Sequence, residues 1–380
     1  MKILLFRTDP SIMNIANYNS QEIGLAKAYV ALGHQCDIVY YNGKNPSRKE
    51  TIKAEYGKEI TIFWWKGFSI LNNGIFPGIT KLIKEYDVIQ VSEYYFFSSW
   101  YVYKRFGKEK KVYIYQGVYD SDNSERFKLR CKVMDPILLN RQVLQNIQVF
   151  TKSDLAKESM DKRGFQKIKT VGVGLDTSRF MECDNTNNTL FAKQENTKYL
   201  LYVGVLEDRR NILFLLDVFS KVAEQRRNVY LVIIGRGKEE YVSICKERIK
   251  ELKLEDRIIY QERMQQDQLP SVYRDCDIFL LPSKYEIFGM VLLEAMRFGI
   301  PVISSRNGGS STLITSGETG FIIDDFEASS WSNQILKLLD DNKYALQIAQ
   351  NAQRISSKKY MWSEIAQDIL NTLDNSGDRI

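Results

Sequence analysis

Short apolar runs of four to seven residues alternate along this chain with longer segments of helical period, which predicts parallel sheets wrapped by helices. Two such series follow one another. The first opens with Lys2–Phe6, continues through an amphipathic stretch from about Gln21 to Leu32 that Gly33 stops, and adds strands at Asp37–Tyr41, Ile60–Phe63, Val88–Val91, Val112–Tyr115, Gln148–Thr151 and Ile168–Val171. A polar stretch from Asp184 to Lys198, rich in Asn and Thr and without periodicity, reads as a linker. The second series restarts at Tyr199–Val203 and runs through Val229–Ile234, Ile258–Tyr260, Ile278–Leu281 and Val302–Ser304 to Phe321–Ile323. The fold class expected is α/β, with two doubly wound domains. Ligands of such sheets sit beyond the carboxyl ends of strands, so two facing units would hold one in the cleft between them.

Composition narrows the chemistry. The 380 residues allow roughly two domains, at about 150 residues each. With one histidine, His34, a site with paired histidine ligands is excluded. His34 follows a helix-ending glycine and precedes a strand, so it reads as a junction rather than a catalytic group. A net charge of +6 permits contact with an anionic surface without demanding it. No apolar run approaches a membrane-spanning length, the Met1–Phe6 run is too short for a signal sequence, and the five cysteines are scattered without a CxxC pair. A cytoplasmic protein with reduced thiols is expected.

The most informative stretch runs from Leu281 to Ser304, LPSKYEIFGMVLLEAMRFGIPVIS. A buried strand enters a loop ending at Phe288-Gly289, a helix starts, and Gly299-Ile-Pro301 closes it before the next strand. Backbone amides and the positive dipole end make the helix start an anion site. Glu286 and Glu294 flank it, one in the loop and one within the helix. An anion site with an acceptor on either side suits a nucleotide sugar, although a capping Glu286 and a salt-bridged Glu294 would give the same letters. The helix is apolar nearly all round, so a buried Glu294 would need a partner.

Glu286-x-Phe-Gly-x-x-x-Leu-Glu294-Ala-Met-x-x-Gly-x-Pro-Val resembles the signature of the retaining family 4 glycosyltransferases (glycosyl transferases group 1), of GT-B fold. The resemblance extends to Tyr202–Leu206 with Arg209-Arg210-Asn211, to Leu231–Gly237, to Asn307-Gly308-Gly309 and, more weakly, to Leu32-Gly33-His34 and Gly174–Asp176. It implies two facing Rossmann-like domains with an interdomain cleft. Residues 1–183 would form the acceptor domain, joined by a crossing helix at about 360–380, and 184–359 the nucleotide-sugar domain. Glu286 would contact donor-sugar hydroxyls, the amides of Phe288, Gly289 and Met290 would hold sugar and phosphate, and Glu294 would accept from the ribose. Arg209 and Arg210 would lie on the diphosphate, and Arg263-Met264 would line the base. For the Gly235-Arg-Gly237 turn, a ligand contact and a plain βα turn are equally open.

Several family positions are changed. The usual phosphate arginine is Val205, the glutamate after the Gly-Gly pair is Thr312, and the first N-terminal loop has Ala16-Asn17 where a glycine pair is usual. Phosphate contact there would fall to Asn17, Asn19 or Ser20. The acceptor-side catalytic histidine falls on Gln116, which can orient a sugar hydroxyl but cannot move a proton. The expected reaction is retaining sugar transfer from a UDP-sugar to an acceptor hydroxyl, without cofactor or metal, in cell-surface polysaccharide biosynthesis. The alternative is a catalytically silent partner subunit of the same fold. The two Asp-x-Asp triplets, Asp120–Asp122 and Asp275–Asp277, are too short a pattern to establish a metal site. No nucleic-acid motif appears. Aromatic residues beside basic ones at Tyr94–Lys111 and Arg126–Leu139 leave two readings open, core aromatics with a solvated basic helix end, or peripheral contact with the inner face of an anionic membrane, for a glycan or lipid-linked acceptor.

Overall fold

The computed structural model describes residues 1–15, 20–54, 57–120, 125–176, 190–191, 193–265 and 268–375. The chain forms two compact units, Met1–Leu175 with Tyr360–Ile380, and Asp176–Lys359. The expected boundary at 183/184 lies outside the described residues.

In the N-terminal unit the strands are β1 (Lys2–Phe6), β2 (Gln35–Tyr41), β3 (Arg48–Lys53), β4 (Glu59–Trp65), β5 (Phe68–Ile70), β6 (Asn73–Ile75), β7 (Val88–Ser92), β8 (Lys111–Gln116), β9 (Gln148–Thr151) and β10 (Lys167–Thr170). The main sheet has the order β10-β9-β8-β7-β1-β2-β4-β3, parallel except for β3 at the edge, while β5 and β6 form a separate antiparallel hairpin. Central strands such as β1 are buried along almost their whole length, as a sheet covered on both faces requires. The sequence reading omitted β3 because its letters, RKETIK, are mostly charged; only an exposed edge strand tolerates them.

The last helix, Trp362–Asn375, belongs to this unit. Trp362 is the reason. A Cβ on Gly24 would stand 2.2 Å from its ring, and one on Gly174 would stand 2.4 Å away, so both glycines exist to admit the indole. Leu175 N donates to Tyr360 O at 2.9 Å, and Lys111 pairs with Asp374 at 2.8 Å. His34 lies just ahead of β2, at the amino end of the sheet, with Nδ1 3.4 Å from the amino terminus. It is therefore remote from the carboxyl ends where ligands bind.

Of the two readings of the aromatic run, the core one holds for most of its residues. Tyr94, Tyr95, Phe96, Val102 and Phe106 are buried in one cluster against Phe165 and Val112. The helix Phe97–Phe106 turns these side chains onto the sheet, and burying them there is worth more than exposing them.

The C-terminal unit contains β11 (Lys198–Val203), β12 (Val229–Ile234), β13 (Ile258–Gln261), β14 (Ile278–Leu281), β15 (Val302–Ser305) and β16 (Phe321–Ile323). All six are parallel, in the order β13-β12-β11-β14-β15-β16. Chain order reverses between β11 and β14, and ligands of such sheets bind at the carboxyl ends of strands flanking a reversal of this kind.

Candidate functional site

The loop after β11 carries Arg209 and Arg210 in a single 3-10 turn, Asp208–Arg210, and the loop after β14 carries Glu286. Residues far apart in sequence meet here because the two strands are neighbours. The loops are joined through the backbone, Lys284 N donating to Arg209 O at 2.9 Å, and through Arg209 Nη1, which donates to Tyr285 O at 3.0 Å. Arg210 Nη1 pairs with Glu286 Oε1. Glu207 lies 2.7 Å from Arg209 Nε and 3.7 Å from Arg210 Nε. Both Arg210 and Glu286 are largely shielded from water, and burial pulls the Arg210 guanidinium below its ordinary range. A buried, partly compensated guanidinium in such a place is suited to an incoming dianion.

Gly289 starts the helix Met290–Arg297 with φ +70°, a conformation that an L side chain rarely adopts. The first helical bonds run from Leu292 N and Leu293 N to Gly289 O, so the amides of Met290 and Val291 precede the ladder and sit at the positive end of the dipole. Behind this start lies the short helix Gly308–Leu313. Asn307 caps it reciprocally with Ser310, Gly308 N donates to Glu286 O at 3.0 Å, and a Cβ on Gly309 would stand 2.2 Å from Phe288 O. The glycine pair thus permits backbone contact that holds the Glu286–Gly289 loop in place.

Glu294 is buried and accepts from Tyr273 Oη at 2.9 Å through Oε2. Its expected need for a partner is met by that phenol. Arg263 is exposed and Met264 half-buried just beyond β13, with Arg263 O accepting from Gln261 Nε2 at 2.8 Å. The Gly235-Arg-Gly237 turn has a packing explanation. A Cβ on Gly235 would fall 1.7 Å from Gly204 O, and one on Gly237 would fall 2.3 Å from Leu206 O. Val205 presents an exposed apolar side chain at the position where the family pattern has arginine.

The N-terminal unit changes the reading of Gln116. Its side chain is fully buried, accepts from Tyr94 N at 3.0 Å and donates to Val118 O at 2.8 Å. Both ends are spent on backbone, so Gln116 ties the loop after β8 to the loop after β7 rather than facing a sugar hydroxyl. Asn17 lies outside the described residues. Ser20 Oγ lies 2.8 Å from Tyr40 Oη.

A second cluster went unread in the sequence. Glu93, buried with φ +52°, follows β7 and accepts from Gly117 N at 2.9 Å and Val118 N at 3.3 Å. Burial raises its carboxyl to about 7, against the opposing pull of Lys152 and of these amides. Lys152, just beyond β9, lies over the Tyr115 ring at 4.9 Å, and burial lowers its ammonium despite Glu93 and Glu22. Arg7 pairs with Asp9 at 2.7 Å and Glu22 at 3.4 Å, and Tyr40 Oη donates to Glu22 at 3.2 Å. These groups stand at the carboxyl ends of β1, β7, β8 and β9, where β1 marks this sheet's own reversal of order. A glutamate immediately after an apolar strand was the available signal.

Among the described residues no group of three or more His, Cys, Asp or Glu could hold a metal ion. Of the Asp-x-Asp residues, Asp120 takes both Arg163 Nη atoms, at 2.5 and 2.8 Å, and Asp277 accepts from Tyr199 N and Lys198 Nζ at 2.8 and 3.0 Å.

Residues 186–355 match the family model of glycosyl transferases group 1. The D-inositol 3-phosphate glycosyltransferase of Corynebacterium efficiens is 28% identical over 209 residues, 53% of this chain and 49% of that protein. The lipopolysaccharide 1,2-N-acetylglucosaminetransferase of Salmonella typhimurium is 31% identical over 194 residues, 49% of this chain and 50% of that protein. The chain spans about half the length of the curated relatives it matches. Among solved structures, Anabaena HepE in complex with UDP superposes with a TM-score of 0.73 at 20% identity, covering 99% of this chain and all of that one. Sucrose-phosphate synthase from Thermosynechococcus elongatus gives 0.71 at 19% identity, covering 98% of each chain. The shared fold is GT-B.

Proposed function

We propose that this chain, whose residues 186–355 match the glycosyl transferases group 1 model, is a member of that family and transfers a sugar from a nucleotide diphosphate to an acceptor hydroxyl with retention of configuration. The observation that carries this reading is the pair of loops after β11 and β14, where Arg210, Glu286 and the amides starting at Met290 converge. The cation and the helix start suit a diphosphate, and the carboxylate suits sugar hydroxyls. HepE was solved with UDP and with UDP-glucose, which favours a uridine nucleotide as donor here.

In the proposed step the bond between the anomeric carbon and the phosphate oxygen breaks while the acceptor oxygen bonds the same carbon from the same face. The acceptor's proton passes to the departing phosphate oxygen. The products are the glycoside and the nucleoside diphosphate. Arg210, with Arg209 beside it, stabilises the charge growing on the leaving group. This route needs neither histidine nor metal from the protein, nor a cofactor. Glu294, held by Tyr273, is assigned to the ribose, and Arg263 and Met264 to the base. The acceptor is proposed to be a cell-surface glycan or its lipid-linked precursor, used at the cytoplasmic face of a membrane that the protein contacts peripherally.

Glu286→Ala should lose turnover by about 100-fold or more while its unfolding curve stays cooperative. An active Glu286→Ala protein, or an inverted product anomer, overturns the reading. If no nucleoside diphosphate raised the melting temperature, the silent-partner alternative would replace it.

A further inference from the structure

The helix Glu125–Leu138 turns three large apolar side chains to solvent. Its outward residues, Glu125, Leu129, Lys132, Val133, Pro136 and Ile137, follow the i, i+3, i+4 spacing of one face, and beyond Glu125 in the first turn only Lys132 among them is charged. Leu129, Val133 and Ile137 are 66%, 58% and 63% exposed. The inward face mixes apolar and polar contacts, with Leu138 buried and Phe127 packed on the core cluster. Tyr94 Oη lies 2.9 Å from both Cys131 Sγ and Asp135 Oδ1, and Arg163 Nε lies 3.3 Å from Asp135. These contacts fix one side of the helix and leave Leu129, Val133 and Ile137 turned to solvent.

A second element borders it. The β5–β6 hairpin presents Phe68, Ile70 and, at its tip, Leu71, which is 85% exposed. Leu71 and Asn72 have φ of +48° and +59°, so the tip holds a leucine outward in a left-handed conformation. Arg130 joins the two elements, its Nη2 donating to Asn73 Oδ1 at 2.8 Å and to Asn72 O at 3.4 Å. Beside the hairpin, Lys44 and Lys66 border a depression floored by Trp65 and Phe68.

In the sequence that carries this apolar surface, basic residues outnumber acidic ones. The segment 125–141 holds five basic residues against two acidic ones. Both acids are engaged, Glu125 with Lys128 at 3.1 Å and Asp135 with the inward network. Protruding apolar side chains inside a basic fringe match the boundary of an anionic bilayer, where the apolar groups enter the acyl region and the lysines meet phosphates.

We propose that this surface of the N-terminal unit, the Leu71 tip with the Leu129–Val133–Ile137 face, docks on an anionic phospholipid membrane. It rests on and deepens the membrane part of the proposed function by naming the contact, and it uses none of the donor-site residues. The test is co-sedimentation of the full chain with vesicles of phosphatidylglycerol and phosphatidylcholine, against phosphatidylcholine alone. The intact protein should sediment with the first and not the second, and should be released at about 0.5 M salt, where screening leaves only a few ångströms of reach. Leu71→Ser, and Leu129→Ser with Val133→Ser, should each weaken binding about tenfold. Leu346→Ser, which removes an exposed leucine from the C-terminal unit, should not. The thermal shift given by UDP, measured on the same variants, should be unchanged, which separates this surface from the donor-site reading. Absence of vesicle binding, binding that the hairpin and helix variants retain, or a dimer that these variants dissolve in favour of a self-association surface would each overturn the proposal.

Discussion

The carboxyl ends of the two sheets are built on the same plan yet carry different chemistry. In the C-terminal unit two adjacent loops supply a compact set, Arg209, Arg210 and Glu286, next to a helix start. In the N-terminal unit the charged groups Arg7, Glu22, Glu93 and Lys152 come from four separate segments, and burial perturbs Glu93 and Lys152 toward neutrality. The first arrangement concentrates cation and amides for an anion. The second keeps a carboxyl and an ammonium poised with their charges weakly held. Equivalent topology therefore fixes where chemistry can sit, while the residues beyond each strand decide which chemistry it is.

The largest expected effect sharpens the C-terminal side of this contrast. Arg210→Ala should lower kcat by about 100- to 1,000-fold, on the order of 3–4 kcal/mol, with Arg210→Lys recovering only part because an ammonium cannot grip two oxygens at once. Steady-state kinetics checks it, and an Arg210→Ala enzyme within a few-fold of the parent would break the contrast.

The next effect belongs to the N-terminal side. The folded-state carboxyl of Glu93 lies at about 7, above its ordinary 4.5. Between these pH values the native state holds a proton that the unfolded chain has released. Glu93 thus adds stability that is fully present below about 4.5 and is lost as pH rises through about 7, at a limiting slope of about 1.4 kcal/mol per pH unit. Urea unfolding at a series of pH values should show this component, and Glu93→Gln should remove it. An unchanged slope would mean that the carboxyl is not perturbed.

Tyr273→Phe should cost about 1–3 kcal/mol, since it leaves a buried Glu294 oxygen without the phenol at 2.9 Å. Denaturant unfolding measures this directly. The smallest change is expected for exposed Arg263→Ala, which should alter UDP affinity by about twofold or less in calorimetry. A large loss would show that the Arg263 side chain, rather than the backbone of this loop, carries the base contact.

Much of the fold was legible because parallel strands buried on both faces must be short apolar runs. Gln148–Thr151, Val229–Ile234, Ile278–Leu281 and Phe321–Ile323 form strands with the bounds read from the letters. The edge strand Arg48–Lys53 escaped because solvent, not the core, selects its side chains. The C-terminal site was legible because its loop, glycine and helix are contiguous in sequence. Gln116 shows the opposite case, since its chemistry allows a sugar contact and only the fold shows its side chain bonded to Tyr94 N and Val118 O. The aromatic stretch Tyr94–Phe106 is a like case, because composition does not say which side of a helix meets the sheet.

By itself, then, the sequence determined the two α/β series, the glycine-started helix that can hold an anion, and the carboxylates beside it, all of which follow from local periodicity and backbone geometry. Tertiary structure decided that Arg210 meets Glu286, that Tyr273 satisfies Glu294, that Glu93 and Lys152 stand at the carboxyl ends of one sheet, and that Trp362 lies between Gly24 and Gly174. These depend on strand order and burial. Both arise from packing segments distant in the chain, and no local pattern of letters encodes them.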